Sequence, residues 1–263
     1  MMHSAKLLGS LRIQIRVIGA LLLREVLTRY GRHNIGFLWL VVEPMLFTVG
    51  VAALWTATRS THGSNLPIVA FAVTGYSTVL LWRNTANRCT SAIAPNAGLL
   101  FHRNVRVLDL FLARAILEIA GATGSTICLM TVFWLLDFMQ PPHDLLLMIY
   151  SWGLLCLFSI GLAMTVGSLT EYSETYDRLW HTFTYLAFPL SGAVFMVDWL
   201  PSSVQGAFLL VPMVNAVELF REGYFGDTIR AHGSAAYLAS SAAVMLLIGL
   251  LGVSWTASRV EPE

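Results

Sequence analysis

Six apolar runs dominate the chain and constrain its fold more than any other feature. A helix that crosses a bilayer needs roughly 20 apolar residues. Hydrophobic residues make up 56% of the 263 residues and charged residues only 12%, about half the charged share of an ordinary soluble domain. The sequence therefore predicts an all-α integral membrane protein with six transmembrane helices. The predicted spans are Ile35–Ala57, Leu66–Trp82, Leu110–Leu136, Leu145–Thr170, Thr182–Val197 and Ala235–Ala257.

Basic residues are unevenly divided between the loops that this prediction creates. Short cytoplasmic loops of membrane proteins carry an excess of Lys and Arg. The poorer side has only Arg59, Arg221 and Arg230. The richer side includes both termini, and its basic residues are Lys6, Arg12, Arg16, Arg24, Arg29, Arg32, Arg83, Arg88, Arg103, Arg106, Arg178 and Arg259. We therefore expect a cytoplasmic amino-terminal segment over 1–34, a transmembrane domain over 35–257 and a cytoplasmic tail over 258–263.

The amino-terminal segment has the pattern of an amphipathic helix. Its apolar residues recur at three- and four-residue spacing, which places them on one helix face, and Arg12 and Arg16 flank them. Such a helix lies in the membrane interface, with its apolar face in the acyl chains and its arginines at the headgroups. A simple basic anchor is the alternative. The predicted apolar face consists of Leu7, Leu11, Ile15, Ile18 and Leu22.

Charged residues also occur within the predicted spans. Glu43, followed by Pro44, lies in the first span. A carboxylate in hydrocarbon is costly and usually faces a cavity or a partner, and proline can kink a helix. Glu43 is therefore either part of a gate or subunit contact, or it reaches back to the interface. Arg114 and Glu118 are four residues apart in the third span, which favours an ion pair on one helix face.

A further apolar run, over 204–217, follows the fifth span too closely to be an ordinary crossing. Pro212 and Asn215 interrupt it. Irregular backbone at membrane depth is tolerated where it is buried in protein. We therefore predict re-entrant periplasmic helices between spans five and six.

The sequence has no motif for catalysis, metal binding or nucleotide binding. Its single lysine, Lys6, is followed by Leu7, so the Gly-Lys-Ser/Thr of a phosphate-binding loop is absent. No His-Glu-x-x-His motif occurs, and the seven histidines lie in loops or at span ends. No catalytic residue, metal site or cofactor is predicted.

Two blocks of the sequence have residues in a recognisable pattern. In the first block, Leu23–Pro44, a basic segment precedes a span with Gly, Trp and Pro at fixed spacing. The positions that form the pattern are Arg24, Arg29, Gly31, Gly36, Trp39, Glu43 and Pro44. The second block comprises Phe188–Val197, Leu200–Pro201, Val211–Pro212 and Val217–Arg221. Both blocks resemble ABC-2 type permeases, most closely those that export capsular polysaccharide (KpsM-type) or O-antigen. The family often has Asn where this chain has Val211, and the following proline is kept.

The resemblance implies a transport subunit rather than an enzyme. Such a permease acts as a homodimer in the bacterial inner membrane and exports a lipid-linked capsular polysaccharide. It binds two copies of a separate ATP-binding subunit, which would hold ATP and Mg and would account for the missing phosphate-binding loop. Periplasmic and outer-membrane polysaccharide export proteins are further candidate partners, and nucleic acid is not.

The resemblance also suggests roles for particular residues. The loop between spans two and three would dock on the ATPase through Leu99, Leu100, Phe101, His102, Arg103 and Arg106. The amino-terminal interface or gate would comprise Arg24, Arg29, Arg32, Glu43 and Pro44. The periplasmic re-entrant segment would comprise Pro189, Asp198, Pro201, Pro212, Glu218 and Arg221. Trp39, Phe47 and Tyr76 would line a sugar path, whereas Trp55 and Trp82, near span ends, fit an interfacial aromatic belt better.

Other functions stay open on the sequence alone. An ABC-2 exporter of O-antigen, of a teichoic-acid-like polymer or of a small lipid or drug has the same general features. A membrane-embedded enzyme of envelope assembly would need a carboxylate or histidine cluster at an interface. A structural membrane subunit without a transport role is a further alternative.

Overall fold

The computed structural model describes residues 2–30, 34–58, 66–101 and 105–260. This part of the chain is helical throughout apart from turns and connections, and it contains no strand, so the predicted all-helical fold is confirmed. The helices are α1 (Met2–Tyr30), α2 (Asn34–Thr58), α3 (Ile68–Cys89), α4 (Ala97–Leu100), α5 (Val107–Leu135), α6 (Leu145–Tyr172), α7 (Glu174–Leu190), α8 (Ser202–Leu209), α9 (Pro212–Phe225) and α10 (Ala235–Val260). Short 3-10 turns occur at Ala94–Asn96, Val197–Trp199 and Gly226–Thr228.

Four of these helices, α2, α5, α6 and α10, are long and apolar enough to cross a membrane. Each coincides with a predicted span to within three residues at both ends. The start of α6 shows why its boundary was predictable: Asp144 precedes the apolar run, and its carboxylate accepts a hydrogen bond from the Leu147 N–H at 2.9 Å. This is the N-cap arrangement that satisfies a free donor in the first helical turn.

The second and fifth predicted spans differ from the helices found there. α3 continues to Cys89, well beyond the predicted end at Trp82. α7 begins at Glu174, where the Ser173 side chain accepts from the Thr175 N–H, and it ends at Leu190. The chain then turns at Gly192, whose φ of +82° suits glycine. The fifth prediction, Thr182–Val197, was wrong at both ends because capping and turn geometry set these ends, and hydropathy does not report them.

α8 and α9 form a sharply bent pair. Together they are apolar enough to pass as one span, but their axes differ by 103°. Pro212 is the first residue of α9, a position where its missing N–H would have no helical partner anyway. The break between the two helices falls just before Pro212, whereas Asn215, the other polar interruption of the apolar run, lies inside α9.

The bundle is tightest where α6 packs against α10. A Cβ on Gly161 would lie 2.5 Å from the Leu246 nitrogen, and one on Gly249 would lie 2.7 Å from the Gly161 oxygen. Small residues at such a crossing let two helix backbones approach closely. α3 runs through the centre and buries Trp82 completely. The prediction of Trp82 as an interfacial belt residue was wrong, because α3 extends two turns further and places the ring in the core.

The two ends of the helix bundle carry different features. At the α1 end, α1 contacts α5, and ion pairs join Arg29, Arg88 and Glu118. At the far end, the start of α3, the α5–α6 loop, and the segments 196–199 and 224–230 surround one pocket.

Part of the predicted lipid-facing side of α1 packs against protein instead. Val17, Leu21 and Leu22 pack against a core cluster that contains Leu110 and Phe111 of α5. Ile15 is exposed, and the side chains of Leu7 and Leu11 lie outside the described residues. The predicted lipid-facing stripe was therefore wrong in part: Leu22 faces protein, because the apolar surface of α5 is available to cover it.

Candidate functional site

A network of ion pairs connects four helices at the α1 end. Its centre is Glu118 of α5, which is only 6% exposed. Glu118 pairs with Arg29 of α1 and with the Nε atom of Arg88 of α3 at 3.3 Å. Arg29 also lies 3.6 Å from Glu43 of α2. Buried carboxylates need such partners, and here three other helices supply or share them.

Arg114 joins the same region through different partners. Its Nε lies 3.1 Å from Glu25 of α1, and its Nη1 donates to the Arg88 carbonyl at 2.8 Å. The predicted pairing of Arg114 with Glu118 was therefore wrong. An i,i+4 pair stabilises an isolated helix by only about 0.2–0.5 kcal/mol, so contacts made when α1 docks on α5 easily replace it.

The structure thus brings together part of the predicted amino-terminal gate. Arg29 and Glu43 are in contact, whereas Arg24 instead donates to the buried Asn96 side chain. Pro44 lies inside α2, and its carbonyl accepts from the Thr48 hydroxyl at 3.1 Å. Arg32 lies outside the described residues.

The predicted ATPase-docking loop presents one apolar side chain rather than three. Leu100 is 5% exposed and belongs to the core cluster beneath α4, while Leu99 is half-buried against the same cluster. Phe101 is 77% exposed. Leu100 is buried within this chain because the single turn of α4 directs it inward and leaves Phe101 outside, and docking of this loop on an ATPase stays a prediction. His102 and Arg103 lie outside the described residues.

Two contacts tie α1 to this docking loop. Asn96, which accepts from Arg24, also donates to the Ala92 carbonyl at 2.8 Å. Further along, Asp109 is fully buried, accepts from the Gln14 side chain and accepts from the Arg106 N–H at 2.9 Å. The side chain of Arg106 itself is exposed. α1 therefore contacts both ends of the loop.

Helix α9 is held by polar residues on its buried face. Arg221 is fully buried, and its guanidinium donates to the carbonyls of Gly192 and Phe195 at 2.8 Å, to Ala193 at 2.6 Å and to Phe71 at 3.3 Å. The planar guanidinium offers five donors in a fixed fork, which suits a turn with several free carbonyls. Arg221 thus fixes the turn after α7 against α3.

Glu218, also on α9, holds the segments around Val197 and His232 through hydrogen bonds to their backbones. Its carboxylate accepts from the Val197 N–H and from the His232 N–H, both at 3.1 Å. Asp198 is exposed, 3.3 Å from the ring of His232. The remaining predicted residues of this segment are prolines: Pro189 lies in the last turn of α7, Pro201 directly precedes α8, and Pro212 begins α9. Glu218 and Arg221 therefore have structural roles that their charge alone did not reveal.

Aromatic rings form a continuous row between α2 and α3. Phe47 lies 5.7 Å from Tyr76, Tyr76 lies 5.7 Å from Trp55, Trp55 lies 5.9 Å from Phe71, and Phe71 stacks on Trp199 at 5.2 Å, all between ring centroids. We call these five residues the aromatic ladder. It includes the predicted path residues Phe47 and Tyr76. Phe71 and Trp199 were not predicted as path residues, and Trp55 was predicted in a belt, because only the packing of α2 on α3 brings these rings together.

Trp39, the third predicted path residue, lies outside the ladder. Its ring is half exposed on α2, eight residues before Phe47. Arg83 of α3 lies over Phe47, with 5.8 Å from its guanidinium carbon to the ring centroid. The ladder thus begins near an arginine and ends at Trp199, which lines the pocket at the far end.

The far-end pocket has a volume of about 830 Å³. Its wall combines aromatic residues, among them Trp199, Tyr224 and Phe225, with the polar residues Gln140, His143, Asp198, Asp227, Thr228 and Arg230. The pocket lies at the opposite end of the bundle from the ion-pair network.

Comparison with known proteins gives a consistent result. The family model described as ABC-2 type transporter matches residues 16–225. The chain is 46% identical over 262 residues to the capsule polysaccharide export inner-membrane protein CtrC of Neisseria meningitidis serogroup B, covering 100% of this chain and 99% of that protein. It is 42% identical to the capsule polysaccharide export inner-membrane protein BexB of Haemophilus influenzae, covering 97% and 96%.

A more distant relative extends the comparison. The polysialic acid transport protein KpsM of Escherichia coli is 30% identical over 247 residues, which cover 90% of this chain and 92% of that protein. The family match and the end-to-end similarity lead to one conclusion: this chain belongs to the ABC-2 type transporter family.

Proposed function

We propose that this chain is the permease subunit of an ABC transporter that exports a lipid-linked capsular polysaccharide across the inner membrane. The observation that carries the proposal is the 46% identity, from end to end, with a capsule polysaccharide export inner-membrane protein. The chemistry agrees, because a chain without a phosphate-binding loop needs a separate ATP-binding subunit.

The proposed membrane arrangement uses six crossings. Besides the four apolar helices, α3 and α7 run between the two ends of the bundle and complete the set. α3 can do so despite its two arginines because neighbouring helices bury most of it. The 103° bend between α8 and α9 supports a re-entrant pair at the far end. With both termini cytoplasmic, the α1 end faces the cytoplasm, α1 lies at the interface, and the far end faces the periplasm.

The exposed surfaces support a homodimer. α2 exposes Leu38, Leu46 and Leu54, and α7 exposes Leu179, Phe183 and Leu186. A second copy placed against α2 and α7 would cover apolar surface and would place two aromatic ladders beside a shared path. In this arrangement the exposed ring of Phe47 would offer a flat apolar face to a sugar ring, while Phe71 and Tyr76 are buried behind it.

α1 provides a physical connection from the ATPase to that path. The proposed docking site, α4 with Phe101, contacts α1 through Asn96 and Arg24. α1 in turn contacts α2 through Arg29 and Glu43. Movement of the docking loop would therefore displace α1 and, through it, the helix that carries Phe47.

The test of this function is complementation of a strain that lacks the gene, with surface polysaccharide and ATPase co-purification measured together. The wild-type chain should restore both. Phe101→Asp should greatly reduce both, because it places a charge where the large apolar ring of Phe101 is exposed at the end of α4. Phe138→Asp is the matched control, since Phe138 is 58% exposed in the loop after α5 at the far end.

Two results would contradict the proposal. If the wild-type chain co-purifies with the ATPase but restores no surface polysaccharide to the deletion strain, the proposed substrate is wrong. If Phe101→Asp still co-purifies with the ATPase to the same extent as Phe138→Asp, the docking site lies elsewhere.

A further inference from the structure

The far-end pocket is built from segments that are fixed to one another. The Tyr224 hydroxyl donates to the Gln140 carbonyl at 2.7 Å, and the backbone N–H groups of His143 and Asp144 donate to the carbonyls of Tyr224 and Gly223 at 3.2 and 2.7 Å. These bonds join the α5–α6 loop to the end of α9. The volume of about 830 Å³ lies within the range of about 300–1,000 Å³ that is usual for small-molecule sites. The pocket is therefore preformed and large enough for a ligand.

Three aromatic side chains, Trp199, Tyr224 and Phe225, line the pocket. The Trp199 ring is stacked on Phe71 with an angle of 25° between the ring planes, and Tyr224 and Phe225 pack edge to face at 4.8 Å. Such pairs hold the rings in defined orientations. Because Phe71 and Trp199 are the last members of the aromatic ladder, the pocket continues the row of rings that begins at Phe47.

Polar groups of opposite hydrogen-bonding character surround these rings. Asp227 and Asp198 are exposed carboxylates, which only accept, whereas the exposed Arg230 offers up to five donors. A sugar hydroxyl both donates and accepts, so adjacent hydroxyls on one ring can bind both kinds of group. Two carboxylates against one guanidinium disfavour a small free anion. The combination of flat apolar rings and mixed polar groups fits a hydroxyl-bearing sugar ring.

We propose that the far-end pocket is a saccharide-binding subsite that holds a short segment of the polymer where it leaves the aromatic ladder. This inference rests on the proposed function and adds a second sugar-binding position at the Trp199 end of the ladder. The partly exposed ring of Trp199 packs against the apolar face of the sugar, and the exposed side chains of Asp227 and Arg230 bind its hydroxyls.

The experiment uses the permease–ATPase complex in lipid nanodiscs and short oligosaccharides released from the producing strain's own capsule. Their dissociation constant is measured by calorimetry for the wild type and for the double variant Asp227→Asn/Arg230→Gln. We expect affinity to fall about tenfold or more, because hydrogen bonds to charged groups are involved. Asp137→Asn is the control: Asp137 is an exposed aspartate of the neighbouring loop outside the pocket, and asparagine tolerates its positive φ of 59°.

A second measurement keeps the inference testable if the double variant assembles poorly. Oligosaccharide binding should change the tryptophan fluorescence of the wild type, and Trp199→Phe should remove most of that change. Equal affinity of the double variant and the Asp137→Asn control overturns the subsite. Sodium phosphate binding as tightly as the oligosaccharide also overturns it.

Surface polysaccharide in the complemented deletion strain separates the two proposals. Failure of the wild-type chain to restore polysaccharide refutes the proposed function. Restoration by the wild type, together with oligosaccharide binding that the pocket variants leave unchanged, refutes the subsite alone.

Discussion

Neutralising Glu118 should destabilise the permease, because it removes the central charge of the ion-pair network. Removing one partner of a buried pair costs about 3–5 kcal/mol. Two features reduce this cost in Glu118→Gln. Glu43 still lies 3.6 Å from Arg29, and the Arg88 side chain is 47% exposed, so water solvates it. We therefore expect a loss of about 2 kcal/mol, which corresponds to a fall in melting temperature of about 4–8 °C.

The assay is thermal unfolding of the purified chain in one detergent, followed by tryptophan fluorescence. Glu174→Gln is the matched control, since its ion pair with Arg178 is 3.6 Å long and its side chains are 93% and 82% exposed. Exposed pairs contribute little, so this variant should melt like the wild type. If Glu118→Gln and Glu174→Gln lower the melting temperature equally, burial does not determine how much an ion pair stabilises this protein. In a double-mutant cycle with Arg29→Gln, strictly additive shifts would refute the direct contact.

Two further predictions concern the close packing of α3 and the aromatic ladder. Gly75→Ala should lower both yield and melting temperature, because its Cβ would lie 2.4 Å from the Ala193 oxygen and 2.5 Å from the Arg221 Nη2; a normal melting temperature would show that the turn after α7 shifts freely. Phe47→Ala should reduce surface polysaccharide without reducing the amount of assembled complex, while Phe138→Ala should leave export unchanged; full export by Phe47→Ala would refute the role of the ladder.

The ends of a helix could be predicted from the sequence where hydropathy alone determines them. α6 and α10 begin at Leu145 and Ala235 as expected, because a long apolar run follows a polar connection. The full length of α3 was not predicted, since Arg83 and the polar residues after it end the apolar run. The structure shows that the hydroxyls of Thr78 and Thr85 bond to carbonyls of the same helix, so both can be buried without a polar neighbour.

The candidate site was harder to predict, because it depends on which faces meet. The sequence identified Arg29, Glu43 and Phe47 as important positions, but it paired Arg114 with Glu118 by spacing along one helix. Docking of α1 supplied Glu25 and Arg29 as partners instead. In the same way, Leu99, Leu100 and Phe101 are all large apolar residues in the sequence. Only the turn of α4 separates the buried Leu100 from the exposed Phe101.

The Thr78 and Thr85 hydroxyls, which donate to carbonyls of α3 itself, affect how this helix could move. Among the described residues, the hydrogen bonds that attach this helix to other elements lie in its first two turns and near its end: Arg221 donates to the Phe71 carbonyl and the Thr74 hydroxyl, and Arg114 and Trp180 contact the Arg88 carbonyl and the Asn87 side chain. Rotation of its middle turns would therefore exchange one set of van der Waals contacts for another without breaking the hydrogen bonds of Thr78 and Thr85. The energy barrier to such a rotation would be set at Arg221, Arg114 and Trp180, so substitutions there should change how easily the central helix turns.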